Sequence, residues 1–140
     1  MGPTKVVLLP CLVILSLSLS ACGDSPTSPS SNITGTYTLV SARGLSLPAV
    51  VSGSPGTDYV QEVTGGFVEL RPDQTFAWST SYRYTMSGQV STSTSSGSGR
   101  YSLSGTAITL TSEPGSEQLV GTLSDGTLTI RADVELVYRK

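Results

Sequence analysis

The sequence contains no histidine among its 140 residues, and this absence removes several kinds of active site. Histidine is the commonest general base in enzymes and the commonest metal-binding side chain. A Ser-His-Asp triad, a Cys-His pair and a zinc site built from cysteine and histidine are therefore excluded. We expect a protein that is not an enzyme, with no catalytic residue, no metal and no other cofactor.

Charge is also scarce, since only 13% of the residues are charged and the formal net charge is −2. The basic residues form no cluster, so the chain lacks the positive patch that nucleic-acid binding requires. The acidic residues do not follow the spacing of a calcium-binding loop. Glu62 and Glu69 are conceivable as a carboxylate pair for acid-base catalysis. Exposed strand positions explain them better, because nothing in their spacing demands a shared site.

The first residues have the pattern of an export signal. Lys5 is followed by an almost entirely apolar stretch, residues 6–19, which contains Pro10. A membrane-spanning helix needs about 20 apolar residues, so this stretch is too short to cross a bilayer. A positive start, a short apolar core and small residues at its end are typical of a secretory signal peptide.

The end of that signal, Leu19-Ser20-Ala21-Cys22, resembles the bacterial lipobox. The resemblance implies a signal peptide over residues 1–21 and a diacylglyceryl group on the sulfur of Cys22, which anchors the chain in a membrane of the bacterial cell envelope. Because Gly23 rather than aspartate follows the cysteine, the resemblance also implies the outer membrane where the cell has one. The alternative is an ordinary signal peptide with an incidental cysteine.

Residues 22–32 read as a lipidated tether rich in serine and proline, since they carry no large apolar group after the cysteine. Cys11 and Cys22 are the two cysteines of the chain, so the mature protein would keep no free thiol. Removing Lys5 leaves seven of the eight basic residues beside all ten acidic ones, a net charge of −3. Residues 33–140 are long enough for one small domain with one core.

The strongest structural signal is a period of two in TFAWSTSYRYTM, residues 75–86. Large residues such as Phe76, Trp78 and Tyr82 occupy the even positions, while small or polar residues occupy the odd ones. This alternation predicts a β-strand with one buried face.

Shorter segments with the same character, separated by turn signals, predict further strands. Gly65-Gly66 indicates a bulge, and the dipeptide Ser104-Gly105 and the tripeptide Ser124-Asp125-Gly126 indicate hairpins. The predicted strands cover residues 35–42, 59–63 with 66–71, 75–86, 99–103, 106–111, 118–123, 127–131 and 134–139. About eight sequential antiparallel strands bury one face best by closing into an up-and-down barrel. Residues 87–98 are predicted to form a mobile polar loop, and residues 44–57 a loop that can cover the barrel mouth.

Several of these segments together resemble small bacterial lipocalin-like lipoproteins. The resemblance rests on ITGTYTLVSARGLSLP, GGFVELRPDQTFAWSTSYR, GSGRYSLSGTAITLTS, SDGTLTI and ELVYRK, and covers nearly all of residues 33–140. It implies a lipocalin-like barrel in which Gly35-Thr36-Tyr37 takes the place of a Gly-x-Trp motif. It also implies that Arg139, from the last strand, is the partner of the Tyr37 ring.

Two functions remain open at this stage. Trp78, Tyr82 and Tyr84, together with Tyr37, are the predicted binding residues for a small hydrophobic ligand at the cell envelope. Alternatively the same rings fill the barrel, and the protein is a structural or protein-interaction module with no small-molecule ligand. In either case we expect a monomer that meets the membrane through the lipid on Cys22.

Overall fold

The computed structural model describes residues 33–115 and 117–140. The predicted signal peptide (1–21), the lipidation site at Cys22 and the tether (22–32) lie outside these residues. Ten β-strands are present in the part described: β1 Gly35–Ala42, β2 Leu45–Ser46, β3 Ala49–Gly53, β4 Tyr59–Leu70, β5 Thr75–Met86, β6 Gln89–Ser104, β7 Ala107–Ser112, β8 Gln118–Ser124, β9 Thr127–Arg131 and β10 Glu135–Arg139.

Eight of the strands close into an antiparallel barrel with up-and-down connectivity. Consecutive strands from β4 to β10 pair with one another, β10 pairs with β1, and the pairing of Gly35 with Leu70 begins the β1–β4 ladder that closes the ring. The short strands β2 and β3 are additions beside β1 and β4. The predicted all-β, eight-stranded barrel is therefore confirmed, and eight-stranded up-and-down barrels are the architecture of lipocalins.

The alternation of large and small residues explains how the barrel is filled. Tyr37, Leu39 and Phe76 point inward and are at most 3% exposed, whereas their neighbours Thr36 and Thr38 are exposed. Successive side chains of a strand lie on opposite faces, so each strand contributes every second residue to one core. Burying a large apolar side chain of this kind contributes about 1.5–3 kcal/mol.

The two ends of the barrel differ. The closed end carries the β4–β5, β6–β7 and β8–β9 turns. There, two buried tyrosines donate hydrogen bonds to backbone carbonyls of the β4–β5 turn and of the residues before β1. The Tyr37 hydroxyl donates to the Ile33 carbonyl at 2.6 Å, and the Tyr101 hydroxyl donates to the Arg71 carbonyl at 2.8 Å. Lys140 Nζ donates to the Thr34 carbonyl at the same end. The opposite end, the mouth, is bordered by the β7–β8 and β9–β10 connections.

Three details follow from the local sequence. β4 continues through the predicted bulge, where the register with β5 shifts between Val63 and Gly65. The turn between β4 and β5 places Gln74 at a φ of 64°, and the Asp73 carboxylate accepts a hydrogen bond from the Thr75 N–H at 3.0 Å. This carboxylate also accepts from the Thr75 hydroxyl, which is the main reason that the pKa of Asp73 is lowered.

The predicted polar loop over residues 87–98 is wrong. Residues 89–98 lie in β6, which pairs with β5 without interruption from Met86–Gln89 to Thr75–Arg100. The chain reverses in two residues, Ser87 and Gly88, whose φ values of 48° and 77° are those of a type I′ hairpin turn. Residues 44–57 are also partly regular, since they contain β2 and β3, and Leu47 and Val51 pack against the core.

Candidate functional site

A cleft opens at the mouth, where the packed core ends. Its deeper part has a volume of about 190 Å³. Its walls come mainly from inward positions of β4, β5, β7, β8, β9 and β10: Val68, Phe76, Trp78, Thr80, Tyr82, Leu110, Ser112, Glu117, Leu119, Ile130, Ala132, Leu136 and Tyr138. A dry apolar cavity of about 150 Å³ is known to hold benzene, so this volume suits one ring or a short alkyl chain.

A second cavity of about 330 Å³ adjoins the first, under β3. The two cavities share three wall residues, namely Tyr82, Ala132 and Leu136. Val51 and Val63 supply its apolar walls, while Ser52, Gln61 and Asp133 add polar atoms. The cleft therefore runs from an apolar interior toward a more polar outer part, as in binding sites where a few polar groups orient an apolar ligand.

Trp78 forms one wall of the deeper cavity, and its position depends on the strand beside it. Trp78 of β5 lies opposite Gly97 of β6. A carbon added to Gly97 would lie 2.8 Å from Trp78 Nε1, so the indole rests directly on the glycine backbone. The absence of a side chain at Gly97 is thus what allows the ring to lie there.

Thr80, Tyr82 and Tyr138 bring hydroxyl groups to the deeper cavity. Thr80 is a buried polar residue, 3% exposed, and lies on the same face of β5 as Tyr82. Burial raises the pKa of Tyr138 to about 12, and hydrogen bonding with Thr80 acts in the opposite direction. Burial likewise raises the pKa of Tyr82, with a further contribution from Tyr84. Each phenol stays protonated at neutral pH and can donate a hydrogen bond to a ligand.

The charged residues of the cleft are acidic. Glu117 borders the deeper cavity and Asp133 the outer one. No lysine or arginine occurs among the described residues that line either cavity. Beside the outer cavity, Arg43 Nη1 lies 3.0 Å from the carbonyl oxygen of the wall residue Val51. A ligand carboxylate would meet like charge from the two wall carboxylates, whereas a neutral group would not.

The four predicted binding residues lie in different places. Trp78 and Tyr82 line the cleft. Tyr84 lies beyond it, with its ring centroid 6.2 Å from that of Tyr82, and lines neither cavity. Tyr37 is buried in the core near the closed end, where its hydroxyl is bonded to the Ile33 carbonyl. A role of any of them in binding stays a prediction.

Arg139, which the lipocalin-like resemblance implied as the partner of the Tyr37 ring, does not lie beside that ring. Arg139 lies opposite Thr38 and is exposed on the outer face of the barrel, while Tyr37 points inward. Arg139 therefore does not cover the Tyr37 ring. Lys140 also lies at this end, and its side chain packs over Gly35 and donates to the Thr34 carbonyl.

Other wall residues were not singled out from the sequence. Thr80 occupies an even-numbered position of β5, on the same face as Trp78 and Tyr82, so the alternation by itself predicts that it points inward. Tyr138 and Leu136 lie two residues apart in β10 and therefore share one face of that strand. Glu117 and Ala132 lie in connections, where no periodicity shows which way a side chain points.

The two glutamates considered as an acid-base pair are separate. Glu62 accepts two hydrogen bonds from Arg83, from Nε at 2.7 Å and from Nη2 at 2.9 Å. The hydrogen bond from Arg83 is the main cause of the lowered pKa of Glu62. Glu69 pairs instead with Arg71 at 2.7 Å. Each carboxylate has its own cation, and the two lie seven residues apart on β4.

Comparison with known proteins gives no relative: no family model, no curated protein and no solved structure matches the chain. Within residues 33–115 and 117–140 there is no helix of a length and apolarity that would span a bilayer. No group of three acidic or cysteine side chains converges on a possible metal position in the same part of the chain.

Proposed function

We propose that the protein is a lipid-anchored protein of the bacterial envelope whose barrel binds a small neutral or cationic hydrophobic molecule. The observation that carries the binding half of this proposal is the cleft at the mouth. It joins apolar walls to buried hydroxyl groups, and carboxylates stand at its rim. The deeper cavity is sized for one ring or a short chain, and the adjoining cavity of about 330 Å³ leaves room for the rest of a larger ligand. The closed end of the barrel is packed.

The charge of the ligand is the most specific part of the proposal. Glu117 and Asp133 disfavour fatty acids and other anions, because a carboxylate held near them gains unfavourable Coulomb energy. Tyr82 and Tyr138 supply hydroxyl donors to an uncharged acceptor such as an ether, ketone or alcohol oxygen. A matched series of decanol, decyltrimethylammonium and decanoate separates the effect of charge from that of chain length.

Trp78, the single tryptophan, reports on binding. We expect the neutral dye N-phenyl-1-naphthylamine to quench Trp78 fluorescence, and decanol and decyltrimethylammonium to displace it. Decanoate should compete at least tenfold less well. Equal competition by the anion would contradict the proposed ligand class, and no response to any of these probes would contradict ligand binding altogether.

Two matched variants test whether the dye binds in the cleft. Ala132→Phe adds a ring at a wall shared by both cavities, and should weaken dye binding more than tenfold. Val120→Phe adds the same ring at a position of β8 that is 58% exposed, so binding should stay unchanged. An equal loss in both variants, or in neither, would show that the dye binds elsewhere.

The proposed anchor rests on the lipobox resemblance and on where the barrel starts. Ile33 lies at the closed end, so a tether from Cys22 would reach the barrel opposite its mouth. Lipidation predicts a mass increase on Cys22 and recovery in the detergent phase, and both should be lost in Cys22→Ser. A chain of unchanged mass beginning before residue 22 would contradict the anchor.

The alternative, an interaction module without a small ligand, is favoured by the packed closed half of the barrel. Fifteen buried residues of the described chain form one cluster, which includes Tyr37, Leu70 and Phe76 of the closed half. The dye titration distinguishes the two functions, because a filled barrel offers the probe no site beside Trp78.

A further inference from the structure

The first half of β6 forms an open sheet edge. Residues 99–104 of this strand lie between β5 and β7, whereas residues 89–98 pair with β5 on one side. Within the part of the chain that the structure describes, no strand pairs with their other side. All ten residues of this free edge, residues 89–98, are exposed.

The pairing with β5 shows which backbone groups point outward. In a two-residue hairpin the closing pair, here Met86 and Gln89, exchanges hydrogen bonds, and such pairs then alternate along the ladder. Val90, Thr92, Thr94 and Ser96 occupy the intervening positions, so their N–H and C=O groups point away from β5. The next residue in this series, Ser98, uses its carbonyl to accept from the Glu113 N–H at 3.0 Å, where the connection after β7 begins.

This edge carries none of the features that keep sheet edges apart. No charged residue and no proline occurs between Gln89 and Gly99. Native proteins usually protect exposed edges with charges, prolines, bulges or covering groups. The other edge of the same sheet is protected in this way: β3 has a register shift between Val50 and Ser52, and Arg43 Nη1 donates to the Val51 carbonyl at 3.0 Å.

We infer that a second copy of this chain pairs with the free edge, antiparallel and about a twofold axis at Ser93. In this register Val90 faces the partner's Ser96, and Thr92 faces the partner's Thr94. The four residues whose backbone groups point away from β5 (Val90, Thr92, Thr94 and Ser96) then exchange hydrogen bonds with the partner chain. The carbonyl of Ser98, which already accepts from Glu113, takes no part in this pairing. A second copy of this edge is a suitable partner for two reasons. Its unpaired backbone N–H and C=O groups are arranged symmetrically about Ser93, and its residues carry no charge that would repel the first copy. Cross-strand threonine pairs add a small stabilisation.

The inference replaces the monomer expected from the sequence, and it is independent of ligand binding at the mouth. The dimer would contain one continuous sheet that passes from β5 and β6 of one chain into β6 and β5 of the other. The hairpin turn at Ser87 and Gly88 would approach the end of β7 in the partner, since Gly99 of β6 pairs with Ser112.

Single introduced cysteines test the register. In the full chain with Cys11→Ser and Cys22→Ser, purified in detergent, Ser93→Cys should form an interchain disulfide under mild oxidation. The two Cα atoms would lie about 4.5 Å apart, within disulfide range. Ser95→Cys is the matched control, because its two copies would be separated by four residues, about 13 Å, and should stay reduced. Equal crosslinking at both positions, or none at either, would overturn the proposed pairing.

A backbone change tests the hydrogen bonds themselves. Thr92→Pro removes an N–H that points away from β5, so the hairpin should persist while sedimentation velocity shows loss of the dimer. Thr92→Val keeps the N–H and should remain dimeric. A monomeric unaltered chain, or a dimer unaffected by proline, would overturn the inference. Stable capture of a different protein's extended segment on this edge, with no self-association, would also overturn it.

Discussion

The indole of Trp78 lies on the backbone of Gly97, its cross-strand partner in β6. This contact links the wall of the cleft to the half of β6 whose outer side is open. It also makes the shape of the cleft sensitive to one methyl group.

Gly97→Ala should displace the Trp78 ring, because the new carbon would lie 2.8 Å from Nε1. We expect a shifted tryptophan emission maximum, weaker dye binding and a loss of about 1–3 kcal/mol in unfolding free energy, as for other overpacked sites. Gly65→Ala is the control, since a carbon there meets nothing within 4 Å. An emission spectrum unchanged in the first variant would show that the two residues are not in contact.

Stability should fall at alkaline pH because of the buried tyrosines. The pKa of Tyr138 is raised from 10.0 to about 12, so the folded state holds its proton more tightly than the unfolded state. The resulting stabilisation is complete below pH 10 and is lost as the pH rises toward 12, by about 2–3 kcal/mol. Urea unfolding at several pH values, followed by Trp78 fluorescence, measures this fall.

Removing the titrating group should reduce that dependence. Tyr138→Phe should lose less stability between pH 10 and pH 12 than the unaltered protein does. Leu136→Val is the control, because it alters the same cleft wall without removing a titratable group. The same pH dependence in all three proteins would mean that Tyr138 does not contribute to it.

Gln74→Gly should stabilise the barrel. Gln74 has a φ of 64°, a conformation that costs a residue with a Cβ about 1–2 kcal/mol. After the greater flexibility of glycine in the unfolded chain is allowed for, we expect a gain of about 1 kcal/mol and a Tm about 4 °C higher. Gln74→Ala keeps the Cβ and should bring no such gain. Equal melting temperatures for the two variants would argue against strain at this turn.

The Glu62–Arg83 pair should contribute little, although its geometry is bidentate. The Arg83 side chain is 42% exposed, and pairs near the surface are typically worth about 0–1 kcal/mol. A double-mutant cycle with Glu62→Gln and Arg83→Met should give a coupling in that range at neutral pH. Because the pKa of Glu62 is lowered in the folded state, the coupling should persist below the pH at which a free glutamate titrates and disappear only in more acidic solution. A coupling above 2 kcal/mol would show that the pair is much less solvated than its exposure indicates.

The strand boundaries show what local pattern can predict. β1 and β5 have the limits predicted for them, residues 35–42 and 75–86. Fully buried residues share one face of each strand, Tyr37 and Leu39 in β1 and Phe76 and Thr80 in β5. The first half of β6 was missed for the complementary reason. Both of its faces are exposed, so SGQVSTSTSSGS shows no apolar alternation, and the strand exists because β5 offers a complete ladder of hydrogen-bonding partners.

The candidate site was predictable only in part. Alternation identified Trp78 and Tyr82 as inward residues, but it contains no information on how far along the barrel axis an inward residue lies. Tyr37 and Tyr138 illustrate the difference, since both are buried tyrosines and only Tyr138 borders the cleft. Axial position depends on the stagger between neighbouring strands, which is a property of the closed sheet.

By itself, the sequence determined that this chain forms strands joined by tight turns. It also determined which face of each alternating strand is apolar and therefore points into the barrel. Those properties follow from neighbouring residues, since side-chain direction alternates every residue and turns need particular φ values. The tertiary structure decided which pairs of strands close the barrel, which end retains an open cleft, and which stretch of β6 is left without a neighbour. These depend on register between segments distant in the chain, where hydrogen bonding and packing of the whole barrel act together.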